Sequence, residues 1–466
     1  MTAAERCLVI NERLNGSGLF GGAKREVHEE QHSAWRISPE PIWISEDSYT
    51  FFKSLGPPLL SFYKAANNLY RASVRRRQPE WVREYLDMGK PETVVDYGRM
   101  NRFRHDLPFI IRPDILFTSE GPVATELDPV PGGIGLLAAL SKYYSELGYE
   151  VVGGPKGMVS GFLKGIQSLL SEPHLLAIVV SDESNDYYDE MLWLAEALRE
   201  EGLRAWTIRP NDIIFEEDGL FCDVGNGRER ISVLYRFFEL FDLKNIPKID
   251  LMLYAVRKEK VVITPPLKSY LEEKLLFALF HHPYLKGFWL DEIGQESYDL
   301  LRTIFPQTWI MDPRPLPPQG IIPGLELGGR PVTDFHQLKD ATKRERELVI
   351  KPSGFSELAW GSRGVSIGHD MSSKLWNTVV EESLKSLHDT PYILQKFHKS
   401  KQSGFKYYNF DTKVIKSENG RARFCPYYFV SGDEVELGGI LATVCPLNKK
   451  IIHGMVDSVM APVAVR

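Results

Sequence analysis

Apolar positions recur at helical spacing through much of the first hundred residues, clearly over 59–70 and 81–86. Ser38-Pro39-Glu40-Pro41 and Gly56-Pro57-Pro58 mark loops between these stretches. From Leu107 the pattern changes to short runs with strand character, over 109–111, 115–117 and 123–127, and Pro129-Val130-Pro131-Gly132-Gly133 ends the last of them. A helix is expected over 136–147. The continuous apolar run 175–180 reads as a buried parallel strand. A helix over 187–201 follows, stopped by Gly202, and then a second strand over 204–208, which makes a βαβ-like unit. Further strands fit 231–235 and 261–263. The last third alternates strands (348–351, 392–397, 424–430, 439–444) with a helix over 374–387. The pattern assigns the chain to the α/β to α+β class.

At 466 residues the chain has room for two or three domains, and 43% hydrophobic with 25% charged residues is ordinary for a globular protein. A formal charge of −6 argues against a surface that coats nucleic acid. The one basic run, Arg75-Arg76-Arg77, reads as a solvated helix face. Cys7, Cys222, Cys425 and Cys445 form no CxxC pair, which suits a reducing compartment and opposes a structural zinc site. No cleavable signal and no apolar stretch of ~18 residues is present. A cytoplasmic protein with no membrane and no nucleic-acid partner is therefore expected.

The chemistry concentrates in an ordered set of residues. Arg112-Pro113-Asp114 is followed by Glu126-Leu127-Asp128. Alternation along a strand puts Glu126 and Asp128 on one face, their Cα atoms about 6.6 Å apart. With Asp114 across from them they form a hard-oxygen set for Mg²⁺, which usually shares its ligands with nucleotide phosphates. Lys351 ends the apolar run Leu348-Val349-Ile350. A loop with glycines at 354, 361 and 364 comes next and can lay backbone N–H groups over phosphates; Gly361, Ser362, Arg363 and Gly364 are its candidate contacts. The end of the 392–397 strand, Gln395-Lys396-Phe397, offers backbone groups to an adenine edge. Lys274 lies in an apolar helical stretch where its charge needs either an anion or a route to solvent. Two other patterns read as bland. Gly16-Ser17-Gly18-Leu19-Phe20-Gly21 matches GxGxxG without a strand leading into it, and reads as a loop. His28-Glu29-Glu30-Gln31-His32 matches HExxH, but in a polar stretch with no evident third ligand. A zinc peptidase built on His28, Glu29 and His32 is thus a remote alternative.

Together these residues resemble the ATP-grasp superfamily, and more narrowly the synthetase domain of glutathionylspermidine synthase and its circularly permuted relatives. The resemblance spans roughly residues 100–445, with gaps. It implies an ATP-grasp-like fold with a Rossmann-like pre-ATP-grasp domain and a helical N-terminal region. The divisions it suggests are a helical region (1–100), metal-ligand strands (101–150), a pre-ATP-grasp α/β domain (151–260) and a nucleotide-binding domain (261–466). It further implies ATP and Mg²⁺ as cofactors and small-molecule carboxylate and amine substrates. These are joined as an amide through an acyl phosphate, under the loop 354–364 as a lid. Asp114, Glu126 and Asp128 would hold the metal, Lys274 and Lys351 the phosphates, and Arg112 the acyl phosphate. Asp128 stands where the family has asparagine, and the segment between the two lysines is longer than expected and rich in proline. The family's C-terminal arginine is missing from Gly438-Gly439-Ile440-Leu441-Ala442-Thr443. Arg421, Arg423 or Arg363 is left to supply that charge. The alternative function is a non-catalytic ATP-grasp-like protein that binds nucleotide or a partner.

Overall fold

The computed structural model describes residues 1–16, 36–170, 174–225, 227–317, 319–359, 363–449, 451–454 and 457–466. Most of the run 16–21, together with His28, Glu29 and His32, lies outside the described residues.

The start of the chain is helical, with helices at Ala3–Gly16, Glu46–Val74, Glu80–Asp87 and Glu92–Arg99. One expectation fails here. Gly56-Pro57-Pro58 does not break the chain, and a single 29-residue helix runs through both prolines. Ser45 caps it by accepting the Ser48 N–H, and Phe52, Leu55, Leu59, Phe62, Tyr63, Ala66 and Tyr70 line its buried stripe. A proline inside a helix costs about 3 kcal/mol. Each large side chain buried returns roughly 1.5–3 kcal/mol, so the stripe outweighs the break. Gly56 lets the helix seat closely, because a Cβ there would meet Val435 Cγ1 at 2.8 Å.

That helix rests on a seven-stranded sheet. Its strand order is Ile42–Ile44, Val459–Val465, Glu434–Pro446, Val414–Ser431, Ile110–Thr118 and Gly121–Asp128, with Gln402–Asn409 also paired to Val414–Ser431. The expected short strands 109–111 and 115–117 are one strand, continuous through Pro113. Its missing N–H is tolerated because the ladder shifts register just beyond it, between Asp114 and Ile115. The hairpin strands at 414–431 and 434–446 are much longer than their apolar centres at 424–430 and 439–444 suggest. Their ends alternate polar residues outward, which hides them from an apolar-run reading.

The βαβ-like unit is present as an all-parallel sheet ordered Val262–Thr264, Val233–Phe237, Leu176–Val180, Ala205–Ile208, with the helix Tyr188–Glu200 following its first strand. The run expected as 231–235 is split, with Arg228–Ile231 in a separate three-stranded meander. A third sheet, antiparallel, is ordered Thr308–Ile310, Tyr392–Lys396, Leu348–Pro352, Ser366–Ile367, and is backed by the helix Ser373–Lys385. Trp376, Val380, Leu384, Leu348, Ile350 and Leu394 make its own core. The mixed α/β class agrees with the sequence expectation. No helix among the described residues is long and apolar enough to cross a membrane.

Candidate functional site

The hairpin of Ile110–Thr118 and Gly121–Asp128 pairs Arg112 with Asp128 and Asp114 with Glu126. Residues directly opposite in an antiparallel ladder share a face. Both pairs therefore present their four side chains to the same side. Arg112 Nη2 lies 3.0 Å from Asp128 Oδ2 and 3.2 Å from Asp114 Oδ1, while its Nη1 donates to the Gly132 carbonyl at 3.3 Å. Tyr427 Oη donates to the same carbonyl at 2.6 Å, which ties down the loop that follows the hairpin.

Two lysines from distant parts of the chain meet this face. Lys274 does not lie within a helix but directly before the helix Leu275–His281, so its side chain is free of any helical stripe. Its Nζ is 2.7 Å from Glu126 Oε1 and 3.3 Å from the Ala359 carbonyl. Lys351 is the penultimate residue of the fully buried strand Leu348–Pro352 and donates to Gln395 Oε1 at 2.8 Å and to the Thr125 carbonyl at 3.2 Å. A cavity of about 240 Å³ opens between the large sheet and the antiparallel sheet. Asp114, Glu126, Lys351, Gln395, Arg421 and Arg423 are among its lining residues.

Arg423 is the third cation at the hairpin, its Nη1 2.9 Å from Asp114 Oδ2. Cys425, buried on the same strand, also donates its thiol to Asp114 Oδ1 at 3.3 Å. Burial works against the Asp114 charge, but Arg423 and Arg112 outweigh it and hold the carboxyl below its ordinary value. Asp128 goes the other way. Burial raises it and Glu126 adds to the rise, against the pull of Arg112. For Lys274, burial is more than offset by Glu126, and its pKa is raised. Lys351 lacks so close a carboxylate, and burial, reinforced by Lys274, pushes it down to about 8.

The other expected residues are placed less centrally. Gly361 and Ser362 lie outside the described residues. Gly364 N–H closes a turn onto the Leu358 carbonyl, and Arg363 reaches Glu183 Oε1 at 3.3 Å, beyond the end of the parallel strand Leu176–Val180. The N–H groups of Lys396 and Phe397 are bonded to the Gln307 and Glu347 carbonyls, so an adenine edge has to find other groups there. The Gln395 side chain, not its backbone, faces Lys351. Arg421 donates to the Leu447 carbonyl. Of the three arginines considered for the missing C-terminal charge, Arg423 is the one the sheet brings against the hairpin.

Sequence reasoning places Glu190, with Glu183, Asp186 and Asp189, on a solvated helix face; the structure instead buries it at the start of the helix Ile134–Glu146. It accepts from the N–H groups of Gly133 at 2.7 Å and Leu136 at 3.2 Å. Sequence reasoning missed Glu273, buried against Lys90 at 2.6 Å and accepting from the Gly354 N–H at 3.1 Å, where the glycine loop begins. Neither has a local signal, since their partners are far along the chain.

The donor set decides which group fits. Four cations (Arg112, Lys274, Lys351, Arg423) face three carboxylates (Asp114, Glu126, Asp128), a formal balance of 4 − 3 = +1. Among the described residues no three His, Cys, Asp or Glu side chains stand close enough to hold a metal by themselves. The Nε donors of Arg112, Arg421 and Arg423 are buried without acceptors. Such a site suits an anion, and suits Mg²⁺ when phosphate oxygens arrive with it.

No protein-family model matches the chain, and no curated protein does. Among solved structures, a glutathione synthetase-like effector from Globodera pallida, in its apo form, aligns with a TM-score of 0.59 at 12% identity. The alignment covers 99% of this chain and 97% of that one. A candidate gamma-glutamylcysteine synthetase from Methylobacillus flagellatus aligns at a TM-score of 0.41 and 14% identity over 86% and 84% of the two chains, too distant to argue from. What the chain shares with the Globodera protein, at 12% identity and nearly full length, is its fold, that of a glutathione synthetase-like protein.

Proposed function

We propose that the protein is an ATP-dependent carboxylate–amine ligase that forms an amide through an acyl phosphate. The observation that carries this reading is the meeting of Lys274 and Lys351 on the hairpin bearing Arg112, Asp114, Glu126 and Asp128. The glutathione synthetase-like fold supports it. A substrate carboxylate oxygen attacks the γ-phosphorus of ATP, and the bond to the β-phosphate oxygen breaks with release of ADP. An amine nitrogen then attacks the acyl carbon, loses a proton, and inorganic phosphate leaves. Phosphoryl transfer asks the protein mainly for positioning and charge neutralisation.

Lys274 and Lys351 neutralise the phosphates, with Gln395 orienting the Lys351 ammonium. Arg112 and Arg423 neutralise the transferred phosphoryl group, Arg423 standing in for the family's C-terminal arginine. Glu126, Asp128 and Asp114 would hold Mg²⁺, Asp114 once its arginines turn to the phosphates. The ion when bound supplies Lewis-acid stabilisation of phosphate oxygens. The glycine loop from Gly354, anchored by Glu273, excludes water that would hydrolyse the acyl phosphate.

One observation favours the non-catalytic alternative. Asp114 is fully engaged by Arg112, Arg423 and Cys425, which is also what a nucleotide-binding protein without metal chemistry would show. The test is Mg²⁺-dependent ADP release screened over acid and amine pairs. Release that rises sharply with particular pairs supports ligation. ATP-analogue binding with no pair-dependent release supports the alternative.

A further inference from the structure

The basic run that sequence patterning assigns to a solvated helix face is exposed, as expected, and two of its members also border a hollow. Arg71 and Arg75, one turn apart at the end of the helix Glu46–Val74, and Arg77 just beyond it line a hollow of about 430 Å³. Arg104 and His105 enter the same hollow from a different element, following the short 3₁₀ turn Asn101–Phe103, and Asn68 and Phe288 complete the wall. The one carboxylate among the lining residues, Glu292, accepts from the Asn68 amide at 2.8 Å.

Four arginines thus line one hollow, and among the described residues none of Arg71, Arg75, Arg77 and Arg104 is in an ion pair. Arg71 donates to the neutral Asn101 Oδ1 at 3.2 Å and Arg104 to His105 Nε2 at 2.7 Å. The neighbouring Arg76 is the contrast, since it pairs with Glu80 at 3.0 Å and does not line the hollow. Basic residues in the last turn of a helix are favoured by its dipole, which accounts for Arg71 and Arg75. The dipole does not account for Arg104, which belongs to another element and still lines the same hollow. Clustered like charges repel unless an anion neutralises them, and guanidinium forks match carboxylate and phosphate oxygens.

We infer that the hollow lined by Arg71, Arg75, Arg77, Arg104 and His105 is a second binding site, for a small anion carrying several charges on phosphate or carboxylate groups. The occupant is small because the site is concave and the chain as a whole is acidic, at −6, which repels a nucleic acid or an anionic membrane beyond the hollow itself. The site shares no lining residue with the cavity at the hairpin.

The test is titration calorimetry with inorganic pyrophosphate and, separately, citrate. Both are run on Lys351→Ala protein, so that binding at the hairpin cavity is weakened. The expected result is saturable one-to-one binding that weakens steeply with added salt. It should be lost by at least tenfold in Arg75→Ala/Arg77→Ala/Arg104→Ala protein of unchanged melting temperature, and the tighter of the two probes identifies the anion type. Equal binding by the triple variant, or binding of neither probe, overturns the inference. So does a DNA duplex or an anionic vesicle that binds more tightly than both probes. A charge-retaining Arg75→Lys/Arg77→Lys protein keeps partial affinity if the arginines contact the anion, and full loss there with intact folding speaks for guanidinium geometry.

Discussion

The Lys274 ammonium lies 2.7 Å from Glu126 Oε1, so the candidate phosphate lysine and a candidate metal ligand neutralise each other while no nucleotide is bound. Each is thereby held in place, partly shielded from water, and an incoming phosphate exchanges one partner for another instead of desolvating a bare ammonium. Lys274→Met should leave the fold intact and weaken a non-hydrolysable ATP analogue by roughly tenfold or more, the scale of one charge-assisted contact of about 1.5–3 kcal/mol. Calorimetry on the purified variant reads this directly, and unchanged affinity would remove Lys274 from the site.

The net positive balance at the hairpin sets an order of binding. Mg²⁺ added alone should bind weakly, and the ATP analogue and Mg²⁺ should each tighten the other's binding. Glu126→Ala should abolish the Mg²⁺ dependence while leaving the melting temperature nearly unchanged. Strong Mg²⁺ binding to the nucleotide-free protein would contradict the charge count.

Lys351 gives a pH dependence whose sign follows from its lowered pKa of about 8. Below pH 8 the ammonium is charged and ready for phosphate. Above it the free site is neutral, and nucleotide binding must take up a proton. Affinity for the analogue should therefore fall about tenfold between pH 7 and 9, with proton uptake visible in buffers of different ionisation heat. For the ligand-free fold the sign is opposite. Between about 8 and the ordinary value of 10.5 the unfolded chain holds more protons, so stability rises with pH in that window. Lys351→Met should flatten both trends.

Glu190 sits at a helix start, yet burial raises its carboxyl to about 7, against the opposing pull of the Gly133 and Leu136 N–H groups. A carboxyl raised in the fold contributes stability that is fully present below its unfolded value of 4.5 and is lost as pH rises through 7. Glu190→Gln cannot ionise, so melting curves of wild type and variant should converge at low pH and separate between pH 5 and 7.5, with the variant the less pH-sensitive. Parallel curves across that range would refute the assignment.

Arg236 is fully buried. It donates to the carbonyls of Pro265 and Phe238 at 2.9 Å and of Pro266 at 3.3 Å, and it pairs with Glu272. Arg236→Ala strands that carboxylate and three carbonyls and should cost about 3–5 kcal/mol in urea unfolding. Arg363→Ala breaks a solvent-exposed pair with Glu183 and should cost under about 1 kcal/mol.

Periodicity carried the local elements well where one pattern dominates. The buried run 175–180 and the stripe of the Tyr188–Glu200 helix were legible because continuous burial and helical spacing each leave a plain signature. The carboxylate pair was legible for the same reason, since alternation alone puts Glu126 and Asp128 on one face. Pro57 and Pro58 misled because their local cost is visible in the sequence, whereas the buried stripe that outweighs it is complete only when the sheet is in place.

The sequence by itself determined the class of elements, the alternation that puts Glu126 and Asp128 on one face, and the lysine that follows an apolar strand run. These depend on neighbours one to four positions away. Only the tertiary structure decided that Arg423 and Cys425 close on Asp114, that Gln395 orients Lys351, that Glu190 caps a helix from another element, and that Arg104 joins Arg71, Arg75 and Arg77 in one hollow. Those contacts are set by strand register and sheet order, which the summed packing of the whole chain fixes and no short window of residues contains.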